Sequence, residues 1–429
     1  MTGFPTIDQS GLPRSDALPK RCLLLLARVL LPRLRSDLDF MASPFPERPG
    51  LLIRDPHRYS DATLIVPPAL VSCLACFDGT KNETDLHGVL QLSTGLQAVK
   101  EIAADLVRTL GEAGMLDDQM YARLRSQRHR QFEEAAQRMA VHAGGGYPDQ
   151  PAALARMLTD YLAEGGKPAR EPLIGLAAPH VSPGGGTACY GAAYAALPRD
   201  LHQRTFVILG TSHYGEPNRF GLTRKPFRTP LGDAETDGDL VGALAGLAGD
   251  GAKVEDYCHA VEHSIEFQVL FLQHLYGPRV RILPILCGPL GTGERDARPE
   301  RNQSVARFLG ALGELAAREA HRVFWVLGVD MAHVGRRYGD RFPAEAHQGP
   351  LTVVAERDRR RIDRVSAGDA DGFWDLVHEN QHDDLKWCGS SPLYAFLRAA
   401  PQARGRLLRY DQWNIDAESV VSFAALAFR

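Results

Sequence analysis

The 429-residue sequence predicts an α/β protein with a mainly parallel sheet covered by helices, preceded by a small winged-helix domain. Three observations predict it. The runs LIGLAAP, TFVILGTS, RILPILCG and VFWVLGV are apolar without period-2 alternation, as strands buried on both faces require. Amphipathic helical patterns separate these runs, which is the alternation of a parallel sheet with crossover helices. Before residue 140 the pattern changes to two short strands and three short helices, a separate module. The expected organisation is a disordered extension over 1–44, a winged-helix domain over 45–140, a helical linker over 141–169 and the large α/β domain over 170–429.

Taken in order, LLIRDP and ATLIVPP read as strands bounded by turn residues, and Pro68 opens the helix ALVSCLACF. Thr84 or Asp85 can cap the helix DLHGVLQ, and VKEIAADLVRTLGEAGML places Ile102, Leu106 and Leu110 on one stripe. Cys73 and Cys76 form a lone CxxC inside an apolar helix, where two buried thiols are expected rather than a metal site. RLRSQRHRQFEEAAQRMA carries alternating charge on a solvated face, and PAALARMLTDYLAEGG is an amphipathic helix before the large domain. Within that domain CHAVEHSIEFQVLFLQHLYG reads as one long helix entered through polar residues. GRLLRYDQW and SVVSFAALAFR supply two closing strands.

The charged fraction of 24%, the net charge of −3 and the sequence pI of about 6.6 give no global pull toward nucleic acid or an anionic membrane. Neither is an expected partner, and the acidic Glu83 and Asp85 in the candidate recognition region point the winged helix to a peptide or protein instead. Lys20 to Leu31 imitates a signal peptide, but Arg28 interrupts its core and no small-residue cleavage site follows. Seven cysteines without disulfide-like spacing suit a reducing compartment, so the expected location is cytoplasmic.

The chemistry-bearing residues sit where regular elements begin or end. His180 follows LIGLAAP, His213 follows TFVILGTS, Asp330 and His333 follow VFWVLGV, and Cys388 precedes a helix whose unpaired amides favour thiolate. In open α/β sheets the carboxyl ends of strands form the ligand crevice, so these residues can converge. Two imidazoles and a thiolate are competent ligands for iron, copper or zinc. Asp330 and His333 can be ligands, a proton shuttle or groups that orient the imidazoles. His263 and Glu266, three apart on one helix face, are expected in the pocket wall, whereas His202, His274, His321 and His347 are expected at the surface.

The ordered motifs PHVSPGGG, GTSHYG, EHSIEFQ, LPILCG, VDMAHVG and KWCGSSPL resemble those of the Memo family over roughly residues 170–429. The first module resembles the PqqD-like domain of bacterial members called AmmeMemoRadiSam system protein B. The family is similar in fold to class III extradiol dioxygenases of the LigB type. The resemblance implies iron or copper, less so zinc, at His180, His213 and Cys388, with His333 as acid/base held by Asp330. It also implies redox or oxygen-dependent chemistry on an unknown substrate. A second reading is a non-catalytic metal-binding partner of a radical-SAM system with radical-SAM and AMMECR1-like partner proteins, and a third is a zinc hydrolase. The chain departs from relatives at His180-Val181-Ser182-Pro183, where His-Ala-Gly-Tyr is common, and at Tyr214, where a second His is common. Both changes bear on pocket shape.

Overall fold

The apolar runs read as doubly buried strands form the centre of one sheet in the computed structural model, which describes residues 29–291, 298–380 and 382–429. The chain divides into two compact units, one holding residues up to Arg54 with Ala62–Met120, the other Asp55–Asp61 with Tyr121–Arg429.

In the first unit β1 (Asp39–Ala42), β2 (Leu51–Arg54) and β3 (Thr63–Val66) form an antiparallel sheet in that order. There follow α1 (Pro68–Val71), a 3-10 turn over Ser72–Cys76, α2 (Glu83–Thr94) and α3 (Val99–Glu112). Ile53, Cys73, Cys76, Leu86, Leu90, Leu106 and Leu110 share its core. The expected extension over 1–44 is corrected: Leu31 and Leu38 are buried, and the Leu31 and Arg35 amides donate to the carbonyls of Lys81 and Met115 at 2.8 and 3.0 Å. Residues 1–28 of that extension, with most of the signal-like segment, lie outside the described residues. The cap of α2 is Asn82, whose side chain accepts from the Thr84 and Asp85 amides, while Asp85 accepts from the Asn82 amide.

The second unit runs α4 (Gln119–Glu134), α5 (Pro151–Glu164), β4 (Gly175–Ala178), α6 (Thr187–Ala195), β5 (Thr205–Thr211), β6 (Phe220–Leu222), β7 (Phe227–Thr229), β8 (Gly232–Thr236), α7 (Gly238–Ala248) and β9 (Ala252–Val254). It continues with α8 (Cys258–Val261), α9 (Glu266–Tyr276), β10 (Arg281–Cys287), α10 (Gln303–Arg318), β11 (Val323–Gly328) and β12 (His333–Gly335). It closes with α11 (Pro350–Ser366), α12 (Ala370–Val377), α13 (Ser390–Ala399), β13 (Gly405–Asp416) and β14 (Ser419–Phe428). The first two residues of α4 belong to the other unit. The expected linker over 141–169 is corrected too: Leu154 and Leu158 on α5 are fully buried in the core shared by Leu176 and Ile208, so this helix is part of the unit.

Among the described residues the sheet has 11 strands, with the path β12-β14-β4-β11-β5-β10-β6-β9. Its centre, β4, β11, β5 and β10, is parallel. The β14, β12 and β13 side is antiparallel. Along β5, Phe206 and Ile208 enter one buried cluster while Val207 and Leu209 enter the other. Successive side chains point to opposite faces, so burial of both faces explains the unalternating apolar sequence.

Gly328 pairs with Ala178 on one side and Gly210 on the other, so three carboxyl ends are level. His180, His213 and Asp330 all follow directly. The expected helix over 258–277 is instead two pieces, α8 and α9, and the segment between them lies over these strand ends. Its approach needs glycine: a Cβ on Gly328 would lie 2.3 Å from the Ser264 carbonyl oxygen, and one on Gly210 would lie 2.5 Å from Ser264 Oγ.

Gly328→Ala should therefore destabilise the protein by about 1–3 kcal/mol through overpacking. Denaturant unfolding checks this, and an unchanged midpoint contradicts the close-approach account.

Candidate metal centre

Each imidazole at the strand ends is fixed through one ring nitrogen. The amide of His180 donates to Asp330 Oδ1 at 2.9 Å, and its Nδ1–H donates to the Gly328 carbonyl at 2.9 Å, which leaves Nε2 as the free donor atom. His213 and His263 both direct Nδ1 to Glu262, each at 3.1 Å. Glu262 also accepts the backbone amides of His213 and His263 at 2.8 Å and of Ser264 at 3.1 Å. These contacts explain the helix break. The carboxylate gathers the amides of 263 and 264, and Ser264 Oγ donates to the Thr211 carbonyl at 2.8 Å, tying the segment to the end of β5.

His180, His213 and His263 consequently present ring nitrogens within 4.8 Å of one another. Two nitrogens on opposite sides of a first-row ion stand about 4 Å apart, so the donor set fits one cation with small side-chain shifts. Cys388 Sγ lies 3.2 Å from His180 Nε2. Its loop is held from beneath: Asp383 accepts the Trp387 amide at 2.8 Å, and Trp387 Nε1 donates to buried Asp358 at 2.7 Å.

The thiol and the imidazoles share their protons, which a bound cation would displace. Burial would push the Cys388 thiol up, but the imidazoles of His180, His333 and His213 outweigh it and hold the thiol well below its ordinary pKa. Burial opposes charging His180, yet Cys388 and Asp330 raise its pKa to about 9. His213, exposed at the mouth of the crevice, is likewise held above its ordinary value by Glu262 and Cys388. Burial opposes ionisation of Glu262, but His213 and His263 keep it a carboxylate. For His263 burial outweighs Glu262, so its imidazole is neutral. A cavity of about 340 Å³ lined by His213, Cys388, Thr211, Ser212, Cys287 and Trp387, among others, adjoins the site, a volume suited to a small molecule.

Of the residues expected at the site, His180, His213, Cys388 and Asp330 come together, and His263 joins the imidazoles rather than only lining the wall. Asp330 does not hold His333. Its carboxylate belongs to His180, with Oδ2 at 3.5 Å from Nε2, whereas His333 Nδ1 faces the carbonyls of Met331 and Lys386 at 2.9 and 3.0 Å. Glu266 points away from the pocket into a buried ion pair with Arg138 and also accepts from the Tyr147 hydroxyl. Arg138 in turn donates to the carbonyls of His259 and Glu262 at 2.8 and 2.6 Å, so Glu266 steadies the segment that bears Glu262. Tyr214 is half-buried with its ring 6.2 Å from that of His213. Of the expected surface histidines, His202, His321 and His347 are exposed, while His274 is half-buried against Thr159. Sequence reasoning missed Glu262, whose only signal is its place immediately before His263 at the polar entrance of an apolar helix.

A family model described as Memo-like protein matches residues 138–427. A MEMO1 family protein of Aquifex aeolicus is 25% identical over 393 residues, 91% of this chain and 98% of that protein. Another from Thermococcus kodakarensis is 32% identical over 245 residues, 55% of this chain and 80% of that protein. The crystal structure of an uncharacterized protein from Escherichia coli K12 covers 55% of this chain and 89% of its own at 12% identity and TM-score 0.35, a slight likeness.

Two outcomes follow from the buried charges. Arg138→Met leaves the Glu266 carboxylate unpaired and should cost about 3–5 kcal/mol, with Arg138→Met/Glu266→Leu recovering much of it. Denaturant unfolding of both variants checks this, and equal losses contradict it. His259, buried and donating Nε2–H to the Gly221 carbonyl, has its pKa lowered by burial from 6.5 to about 4. The unfolded chain therefore binds this proton first as pH falls, so stability is complete above the unfolded value and declines between 6.5 and about 4. His259→Asn should flatten that acid limb of the melting-temperature profile by up to about 3 kcal/mol; an unchanged limb contradicts the assignment.

Proposed function

The chain belongs to the Memo-like protein family, and on that premise we propose that it is a metalloprotein in which His180, His213, His263 and Cys388 hold non-haem iron or copper. The observation that carries the reading is the convergence of three Nδ1-anchored imidazoles whose donor nitrogens lie within 4.8 Å, with a thiol held in its thiolate form beside them. Outer hydrogen bonds of this kind fix the tautomer and raise ligand basicity. Bound there, iron or copper would supply redox chemistry with dioxygen. The chain's own residues set the surroundings: Glu262 orients two rings, the Gly328 carbonyl orients the third while Asp330 accepts that residue's backbone amide, and the adjoining cavity admits a small substrate. His333, with Nδ1 committed to backbone carbonyls, keeps Nε2 for proton transfer.

A partner role in a radical-SAM system is favoured by one feature, the separate first unit. Its three-stranded antiparallel sheet with α1, α2 and α3 is the part proposed to bind a peptide or protein in the manner of a PqqD-like winged helix. Zinc hydrolysis is the reading that thiolate and imidazole ligation would equally suit. No helix among the described residues is long and apolar enough to cross a membrane. The six described cysteines are unbridged, which supports the proposed cytoplasmic setting.

Anaerobic purification with metal analysis tests the centre. His180→Ala and His263→Ala should abolish stoichiometric metal, and Glu262→Gln should weaken affinity about 10–100-fold through loss of ring orientation. Unchanged metal content in all three sinks the ligand assignment. Dioxygen consumption by the iron or copper form separates enzyme from partner protein.

A further inference from the structure

Beside the metal centre lies a small aromatic cluster that none of the site chemistry uses. Tyr214, next in sequence to His213, has its ring 5.1 Å from that of His57. His57 stacks on Tyr59 at 5.2 Å with an interplanar angle of 13°. Tyr59 stacks on Tyr257 at 5.1 Å, and Tyr257 on His129 at 4.7 Å. The Tyr59 hydroxyl lies 3.3 Å from His129 Nε2. Tyr59 is 6% exposed and Tyr257 5%, so the stack's centre is shielded from water.

We propose that this run of rings is a redox relay, with Tyr59 and His129 as its proton-coupled terminus. The inference rests on the metal reading above. Electron tunnelling falls steeply with distance, and each step from His213 to Tyr59 joins rings near contact. A phenol in an apolar setting gives up an electron readily only when its proton has an acceptor, and His129 supplies one within hydrogen-bond range. Burial lowers the His129 pKa, which keeps that imidazole neutral and able to accept. Arg125, which also bonds Tyr59, adds positive charge beside the hydroxyl. His57, Tyr59 and His129 precede residues 138–427, the part that matches the family model, whereas Tyr214 and Tyr257 lie within it.

The step balances with a peroxide-class oxidant. Reduction of hydrogen peroxide to two waters consumes two electrons and two solvent protons; iron(II) held by His180, His213, His263 and Cys388 would supply one electron and become iron(III), and Tyr59 supplies the other through the rings. Tyr59 gives its phenolic proton to His129 Nε2 and is left as a neutral phenoxyl radical. The relay would thus draw oxidising equivalents away from Cys388 when no substrate is present.

The test uses the full chain loaded with iron(II), its metal content measured, mixed with hydrogen peroxide and freeze-quenched for electron paramagnetic resonance. A tyrosyl signal is expected that is lost in Tyr59→Phe, weakened in Tyr214→Leu and retained in Tyr276→Phe, whose hydroxyl bonds the Pro198 carbonyl away from the stack. His129→Gln should alter the g-anisotropy of the radical by changing its hydrogen bond. Bound iron with no radical, or a radical that survives Tyr59→Phe, overturns the relay while leaving the metal reading intact. If no iron binds, the metal reading fails by itself. The metal-free protein is then oxidised by flash-quenched ruthenium(III) polypyridyl, where a Tyr59-dependent radical supports the ring path and its absence overturns it.

Discussion

The site depends on one buried carboxylate. Glu262, 2% exposed, accepts hydrogen bonds from three backbone amides and from the Nδ1 atoms of two imidazoles. An unpaired carboxylate at that depth would be costly, so the partners and the charge require one another. The same contacts end α8, delay α9 and align His213 with His263, whose rings stack at 4.9 Å with an interplanar angle of 11°. A continuous helix over this stretch would have satisfied its backbone internally and left the rings without a common orienting group.

What brings the partners within reach is the parallel sheet. β4, β5 and β11 end level with one another, so short loops deliver His180, His213 and Asp330 to one crevice. The glycines at 210 and 328 admit the 262–265 segment to hydrogen-bond distance. The Arg138 and Glu266 pair secures that segment from its far side, and the Asp383 and Asp358 contacts hold the Cys388 loop opposite. Scaffold and site are therefore coupled: the orientation of the imidazoles is set by backbone carbonyls and carboxylates that also close the ends of strands and helices.

The parallel core was legible in the sequence because double burial leaves unbroken apolar runs, and His180, His213 and Asp330 were legible because they terminate those runs. Cys388 was legible from the helix that follows it. The roles of Glu262 and Glu266 were not, since both lie on the polar entrance of an apparently continuous helical pattern, and only the tertiary contact with β5 decides which carboxylate faces the imidazoles. The pairing of Asp330 with His180 instead of His333 is likewise a matter of loop path, which spacing of three residues does not encode. Residues 29–44 looked disordered from their Arg, Leu and Pro content, yet Leu31 and Leu38 pack into the first unit's core through long-range contacts that local composition cannot show.

The central claim, that one cation is held by the anchored imidazoles and the thiolate, is tested most directly by X-ray absorption spectroscopy of the anaerobically isolated, metal-containing protein. The account predicts imidazole nitrogen scatterers together with one sulfur at thiolate distance, the sulfur shell disappearing in Cys388→Ser. A shell of oxygen scatterers alone, without imidazole multiple scattering or sulfur, would contradict it.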